Sequence, residues 1–317
     1  MTGTRPWLSG LASTIAVAIL MASLAAAAPA ATGGAPTPAG SGPPPASPTG
    51  QPAADTPSAG TLRLISARTN PHKSFYYGVR YPSLRYTIGS SQPLNDLRVD
   101  VVDSAGRTVT SFYRNDLVPN VEDSIRWDGT TAAGRPARNG RYTFRIVPQS
   151  DGPPLRRPKR RASSSASQPI HLSFELYGYA FPILGAHDFG SSGARFGAGR
   201  SGHTHQGQDV MARCGVPLVA ARGGRVQYSG YQGAAGNYIV IDGRGTGFDI
   251  AYMHMLQPSP LKEGMTVRTG QPIGLVGSTG SSTACHLHFE IWTAPGWYQG
   301  GSPIDPLPYL LRWDRYS

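Results

Sequence analysis

Cys285-His286-Leu287-His288-Phe289-Glu290-Ile291 decides how the C-terminal half of this chain is read. Side chains along a β-strand alternate between faces, so on a strand Leu287 and Phe289 enter a core while His286, His288 and Glu290 share the opposite face. Paired imidazoles on one face suit metal ligation by one and proton handling by the other. The competing zinc signature, His-Glu-x-x-His on a helix, is absent from the chain. Short apolar runs separated by glycine turns surround the stretch at 216–221, 225–228, 238–241 and 250–253, and none sustains a helical period. An antiparallel β-sheet domain is therefore expected over 169–317.

Histidine is concentrated in that domain. Of eight histidines, His203, His205, His254, His286 and His288 fall in three places: Gly202-His203-Thr204-His205-Gln206-Gly207-Gln208-Asp209, Tyr252-Met253-His254, and the stretch above. His205 and Asp209 stand four apart across Gly207, where a tight non-helical bend can bring imidazole and carboxylate toward one ion. A catalytic zinc commonly takes three protein ligands of this kind and leaves a fourth position for water. His203 could face the same cleft but is read as peripheral, and His72, His171 and His187 receive no role. Glu290 is expected to orient a ligand imidazole or a nearby backbone group rather than to act as a base.

In order and spacing these segments resemble the lysostaphin-type zinc endopeptidases, whose motifs are His-x-x-x-Asp, a separate histidine, and His-x-His. The resemblance spans about residues 181–306, including Gly199-Arg200, Gly236-Asn237-Tyr238 and Gly277-Ser278-Thr279-Gly280. It implies that His205, Asp209 and His288 hold one Zn2+ per chain, and that His254 and His286 are the catalytic pair. It also implies a zinc-activated water and the peptide cross-links of bacterial peptidoglycan as substrate. Such relatives cut either glycine-containing bridges or cross-links ending in D-amino acids. The alternative is an inactive wall-binding module that activates another hydrolase; relatives of that kind usually lack metal ligands, and none is missing here.

The rest of the 317 residues surrounds this domain. Residues 1–28 carry Arg5, an apolar stretch and Ala25-Ala26-Ala27-Ala28, the layout of a secretory signal peptide. A retained membrane anchor is the competing reading; after cleavage no later segment is apolar enough to span a bilayer. Residues 29–61, almost entirely Ala, Pro, Gly, Ser and Thr, read as a disordered spacer.

Over 62–150, Leu97, Val99 and Val101 alternate with Arg98 and Asp100, and Tyr142, Phe144 and Ile146 alternate with Thr143 and Arg145. Asn139-Gly140 marks a turn between them, which suggests a β-sandwich with Trp127 in its core. Trp127-Asp128-Gly129, Gly134 and Asn139-Gly140-Arg141-Tyr142 resemble the immunoglobulin-like domain of flagellar hook-capping proteins, a likeness that implies a spacer or docking module. The fold class is thus all-β, an immunoglobulin-like sandwich followed by a β-sheet metallopeptidase domain. A basic, Ser-rich linker is read at 151–168.

Lys and Arg outnumber Asp and Glu by 29 to 18, a net +11 that favours anionic partners. Peptidoglycan and other anionic cell-wall polymers fit a secreted, wall-associated chain. Nucleic acid does not, because no recognised binding motif or aromatic platform accompanies the charge. Cys214 and Cys285, the two cysteines of the chain, are expected to form one disulfide in an exported protein.

Overall fold

The computed structural model describes residues 62–90, 97–115, 117–148 and 172–317. The signal-peptide, spacer and linker readings at 1–28, 29–61 and 151–168 lie outside these residues. Among the described residues no helix is long and apolar enough to cross a membrane.

The N-terminal part contributes eight strands: β1 (Arg63–Asn70), β2 (Lys73–Phe75), β3 (Ser83–Gly89), β4 (Leu97–Asp103), β5 (Thr108–Arg114), β6 (Glu122–Arg126), β7 (Gly140–Pro148) and β8 (Ser173–Tyr177). They form a three-stranded sheet, β1-β3-β6, and a five-stranded sheet, β2-β8-β7-β4-β5. Leu84, Tyr86, Ile88 and Ile125 of the first meet Val99, Val101, Phe144, Phe174 and Leu176 of the second in one buried cluster. Each large side chain buried in this way contributes roughly 1.5–3 kcal/mol, which is why the alternation holds the sheets face to face. Trp127 sits in that core as expected, and its Nε1–H donates to the Thr130 carbonyl at 2.7 Å.

Two features depart from the sequence reading. Ser173–Tyr177, expected in the C-terminal domain from residue 169, instead pairs with β7 and, in parallel, with β2. Its inward Phe174 and Leu176 fill the sandwich, so the junction between the two parts falls near Gly178. Asp100, on the polar phase of β4, is buried beneath neighbouring side chains. Burial opposes its charge, but bonds from Arg145 (2.8 Å) and Ser111 (2.7 Å) and the nearby Arg98 hold its carboxyl below the usual range.

The C-terminal part continues with β9 (His187–Asp188), β10 (Gly199–Arg200), β11 (His203–Thr204), β12 (Gln208–Ala212), β13 (Pro217–Val219), β14 (Gly224–Gln232), β15 (Gly236–Gly243) and β16 (Phe248–Met255). β17 (Thr266–Val267), β18 (Pro272–Leu275), β19 (His286–Thr293), β20 (Pro303–Ile304) and helix α1 (Leu307–Asp314) complete it. The main sheet runs β17-β14-β15-β16-β19-β12-β9 with β20 beside β19, every pairing antiparallel. Leu287, Phe289 and Ile291 of β19 join Ile239, Ile241, Ile250 and Tyr252 in its core. Leu310 and Trp313, one helical turn apart on α1, close that core; the sequence reading had no helix there. The other face of β19 is left for the histidines.

The two parts interlock around Arg222, which is buried. Its guanidinium lies 4.3 Å over the Tyr76 ring and 5.2 Å over that of Tyr179, and donates to the carbonyls of Gly178 and Arg244. Thr269 Oγ1–H donates to the Tyr76 carbonyl, and Tyr177 stacks on Tyr316 at 3.9 Å.

Candidate metal centre

Asp209 on β12 and His288 on β19 are Cα partners across adjacent antiparallel strands, so their side chains rise together from the same face. His205 approaches from the segment before β12. Gly207 permits this by close packing rather than by an unusual backbone angle: a Cβ there would lie 2.5 Å from the Phe289 carbonyl oxygen and 2.8 Å from His288 Nε2. As a result His205 Nε2, Asp209 Oδ1 and His288 Nδ1 stand 2.9–3.0 Å from one another. These three residues could hold a metal ion.

The second nitrogen of each imidazole settles what the first presents. Carbonyl and carboxylate oxygens only accept, so His205 Nδ1 must be the N–H that meets the Arg195 carbonyl at 2.8 Å, and His288 Nε2 the N–H that meets Glu290 Oε1 at 2.9 Å. Both remaining nitrogens then aim lone pairs at Asp209. Lone pairs and a carboxylate this close repel unless a cation lies among them, and imidazole nitrogen with carboxylate oxygen is a donor set that suits zinc. Without a metal, a proton serves: burial pulls the His288 pKa down, but Asp209 and Glu290 outweigh it and raise it to about 9. Asp209 is pushed up by burial yet held well below the ordinary carboxylate range by the two histidines. Arg200 approaches its other oxygen at 3.4 Å.

Glu290 is buried at 3% exposure, accepting from His288 with one oxygen and from Trp292 Nε1–H, at 2.8 Å, with the other. The expectation that it orients an imidazole agrees with this placement.

His286 and His254 flank the trio. His286 Nδ1–H donates to the Ala284 carbonyl at 2.9 Å, leaving Nε2 3.5 Å from Asp209 Oδ1. His254 Nδ1–H donates to the Thr279 carbonyl at 2.7 Å, and its ring centroid lies 4.7 Å from that of His286. Burial, only partly offset by that carbonyl, pushes the His254 pKa down to about 4, so its ring is neutral near pH 7.

The aim of His254 comes from an irregularity. Met253 pairs with His288 and therefore already occupies the cleft face, so strict alternation would send His254 into the core beside Tyr252. Between β15 and β16 the register slips: Asn237 pairs with Met255 and Ile239 with Tyr252, so Met253 and His254 together face Tyr238. This bulge, with His254 at φ 59°, turns the imidazole to the cleft.

A cleft of about 650 Å³ opens over the five residues, lined also by Arg200, Tyr238, Trp297 and Tyr298. His203 borders it but is exposed, its Nδ1 bonded to the Ser201 carbonyl. Cys214 and Cys285 form the expected disulfide beside β12 and β19. Sequence reasoning missed Arg200 as a neighbour of Asp209, the carbonyls that fix the tautomers, and the aromatic lining. Only the aromatic residues left a sequence signal, a cluster at Trp297-Tyr298.

Residues 203–306 match Peptidase family M23. The chain is 42% identical over 86 residues to the peptidoglycan DD-endopeptidase ShyC of Vibrio cholerae, covering 27% of this chain and 19% of the relative. It is 33% identical over 149 residues to a lipoprotein NlpD/LppB homolog of Pseudomonas aeruginosa, covering 47% of this chain and 45% of the relative. The chain thus spans less than half the length of these curated relatives. Among solved structures, the catalytic domain of lysostaphin from Staphylococcus simulans is 31% identical, with 40% of this chain and 92% of that one covered and a TM-score of 0.34.

Proposed function

We propose, from the premise that residues 203–306 are a domain of Peptidase family M23, that this protein is a secreted, zinc-dependent endopeptidase that hydrolyses peptide cross-links of bacterial peptidoglycan. The observation that supports this most is the convergence of three imidazoles, those of His205, His286 and His288, on Asp209 with the His254 ring beside them, each with its tautomer fixed by an oxygen acceptor behind it. A zinc ion held by His205, Asp209 and His288 would supply Lewis acidity, bringing the pKa of water toward neutrality and polarising the scissile carbonyl.

The chain's own residues do the remainder. His286 and His254 each give Nδ1–H to a backbone carbonyl and so present the Nε2 lone pair to the cleft; one takes the proton of the attacking water and passes that same proton on to the leaving amine, while the other accepts a hydrogen bond that orients the water. The cleft is open enough for an extended peptide, and Tyr238, Trp297 and Tyr298 offer apolar contact beside the reacting bond. A disulfide next to the site agrees with an oxidising, extracytoplasmic compartment. The N-terminal sandwich serves as an immunoglobulin-like docking module, a reading supported by its two packed sheets.

His288→Ala is expected to lose both zinc and hydrolysis, and His254→Ala to keep stoichiometric zinc while losing hydrolysis. Mass spectrometry of fragments released from defined cross-linked muropeptides reads the second quantity and identifies the bond. Stoichiometric zinc in the parent with no amine released from purified walls would favour the inactive, wall-docking alternative.

A further inference from the structure

The outer face of β1-β3-β6 accumulates like charges. Leu84, Tyr86 and Ile125 point into the sandwich, so Arg68, Arg85 and Arg126 point out. Arg68 is the Cα partner of Arg85 across β1 and β3, while Arg126, the partner of Ser83 across β3 and β6, is diagonal to Arg85. Like charges placed opposite one another weaken a strand pair. A single carboxylate, Glu122, answers both Arg68 (3.3 Å) and Arg85 (3.4 Å).

At the edge of this face, where the two parts of the molecule meet, Arg80 and Arg268 join Arg85 and Arg126 around a cavity of about 420 Å³ that also receives Ser83 and Ser124. Arg268 is held in place without a carboxylate, donating to the Tyr81 hydroxyl and lying 4.2 Å over the Tyr77 ring. Arg80 and Arg126 have no ion-pair partner among the described residues.

We propose that this face and cavity bind an anionic polymer through successive phosphate groups. The guanidinium fork matches phosphate oxygens in pairs, and the serine hydroxyls can donate to the same group. Arg68, Arg80, Arg85, Arg126 and Arg268 set against the one carboxylate of Glu122 carry more charge than one phosphate neutralises, and they spread over three strands, roughly 4.8 Å apart, and the adjoining cavity, which favours a chain of phosphates over a single small anion. The outward positions of the three strands carry no aromatic ring, and Tyr81 is the one aromatic residue lining the cavity, so successive bases would find no stacking platform, which favours a polyol or sugar phosphate chain over single-stranded nucleic acid. The source of that chain, an extracellular phosphate-bearing wall polymer, rests on the function proposed above; the anion chemistry does not.

Inorganic polyphosphate is the probe, titrated at rising salt into the whole chain and into Arg80→Ser/Arg126→Ser, whose altered positions are exposed. The variant should bind at least tenfold more weakly, with a salt slope shallower by about 2, one for each phosphate contact removed. Its cleavage of a soluble cross-linked muropeptide should equal the parent's. Walls stripped of phosphodiester polymer should hold parent and variant equally, whereas intact walls should retain more of the parent. Equal polyphosphate binding by the two proteins, or tighter binding by the parent to polyglutamate or duplex DNA of matched charge, overturns the proposal. Muropeptide left uncut by a parent that binds polyphosphate overturns the peptidase reading alone.

Discussion

Replacing Glu290 by glutamine keeps the shape of the side chain and removes one acceptor from a place that needs two. The carboxylate receives His288 Nε2–H at 2.9 Å and Trp292 Nε1–H at 2.8 Å, and at 3% exposure no solvent can substitute. A carboxamide offers one oxygen. If that oxygen faces Trp292, the amide N–H₂ faces His288, moves the imidazole proton to Nδ1 and blocks the lone pair meant for the metal. If it faces His288, the amide opposes the indole N–H, and a buried unsatisfied donor costs roughly 1–3 kcal/mol. Loss of a partner behind a ligand imidazole typically lowers metal affinity about 10–100-fold, equivalent to roughly 1.4–2.8 kcal/mol, so the two ranges agree. Competition with a chromophoric zinc chelator near pH 7.5 should show that loss, and Trp292→Phe added to Glu290→Gln should recover part of it by removing the opposing donor. Zinc affinity within twofold of the parent, in a variant that melts normally, would refute the argument that Glu290 sets the tautomer of His288.

Gly207→Ala drives a methyl group into the Phe289 carbonyl and the His288 ring, so it should destabilise the fold by about 1–3 kcal/mol and weaken zinc binding at least tenfold. Thermal melts with and without zinc check both. Because the metal-free His288 pKa is about 9, zinc must displace its proton at neutral pH. Affinity should therefore rise about tenfold per pH unit between 6.5 and 9, and calorimetry near pH 7.5 in buffers of different ionisation enthalpy should register about one proton released per zinc; none released would contradict the arrangement. The same raised pKa has the opposite sign for stability of the metal-free fold: its contribution is complete below about pH 6.5 and disappears as pH climbs through about 9.

The parts of this site that were legible in sequence obey short-range rules. His286, His288 and Glu290 share a face because strands have a period of two, and that rule sufficed. The pairing of Asp209 with His288 depends on register between strands 79 residues apart, which spacing alone does not encode. His254 would have been assigned to the core by alternation; its identification came from a family likeness, and the physical cause is a bulge whose extra residue has no local signature. The tautomer-fixing carbonyls of Arg195, Thr279 and Ala284 are backbone atoms, so side-chain identity cannot reveal them. Ser173–Tyr177 was misallocated for a related reason: its alternating Phe174 and Leu176 suit any sheet, and only the register shows which one takes it.

The Arg195 carbonyl that anchors His205 precedes the first residue of the family match, as do Arg200 and the buried Phe181 and Ile183. The unit of inheritance that would travel intact between proteins is therefore longer at its upstream end than the recognisable motif block. A recombination event at residue 203 would deliver all five cleft residues to a new host, but one imidazole would arrive free to rotate and to choose either tautomer.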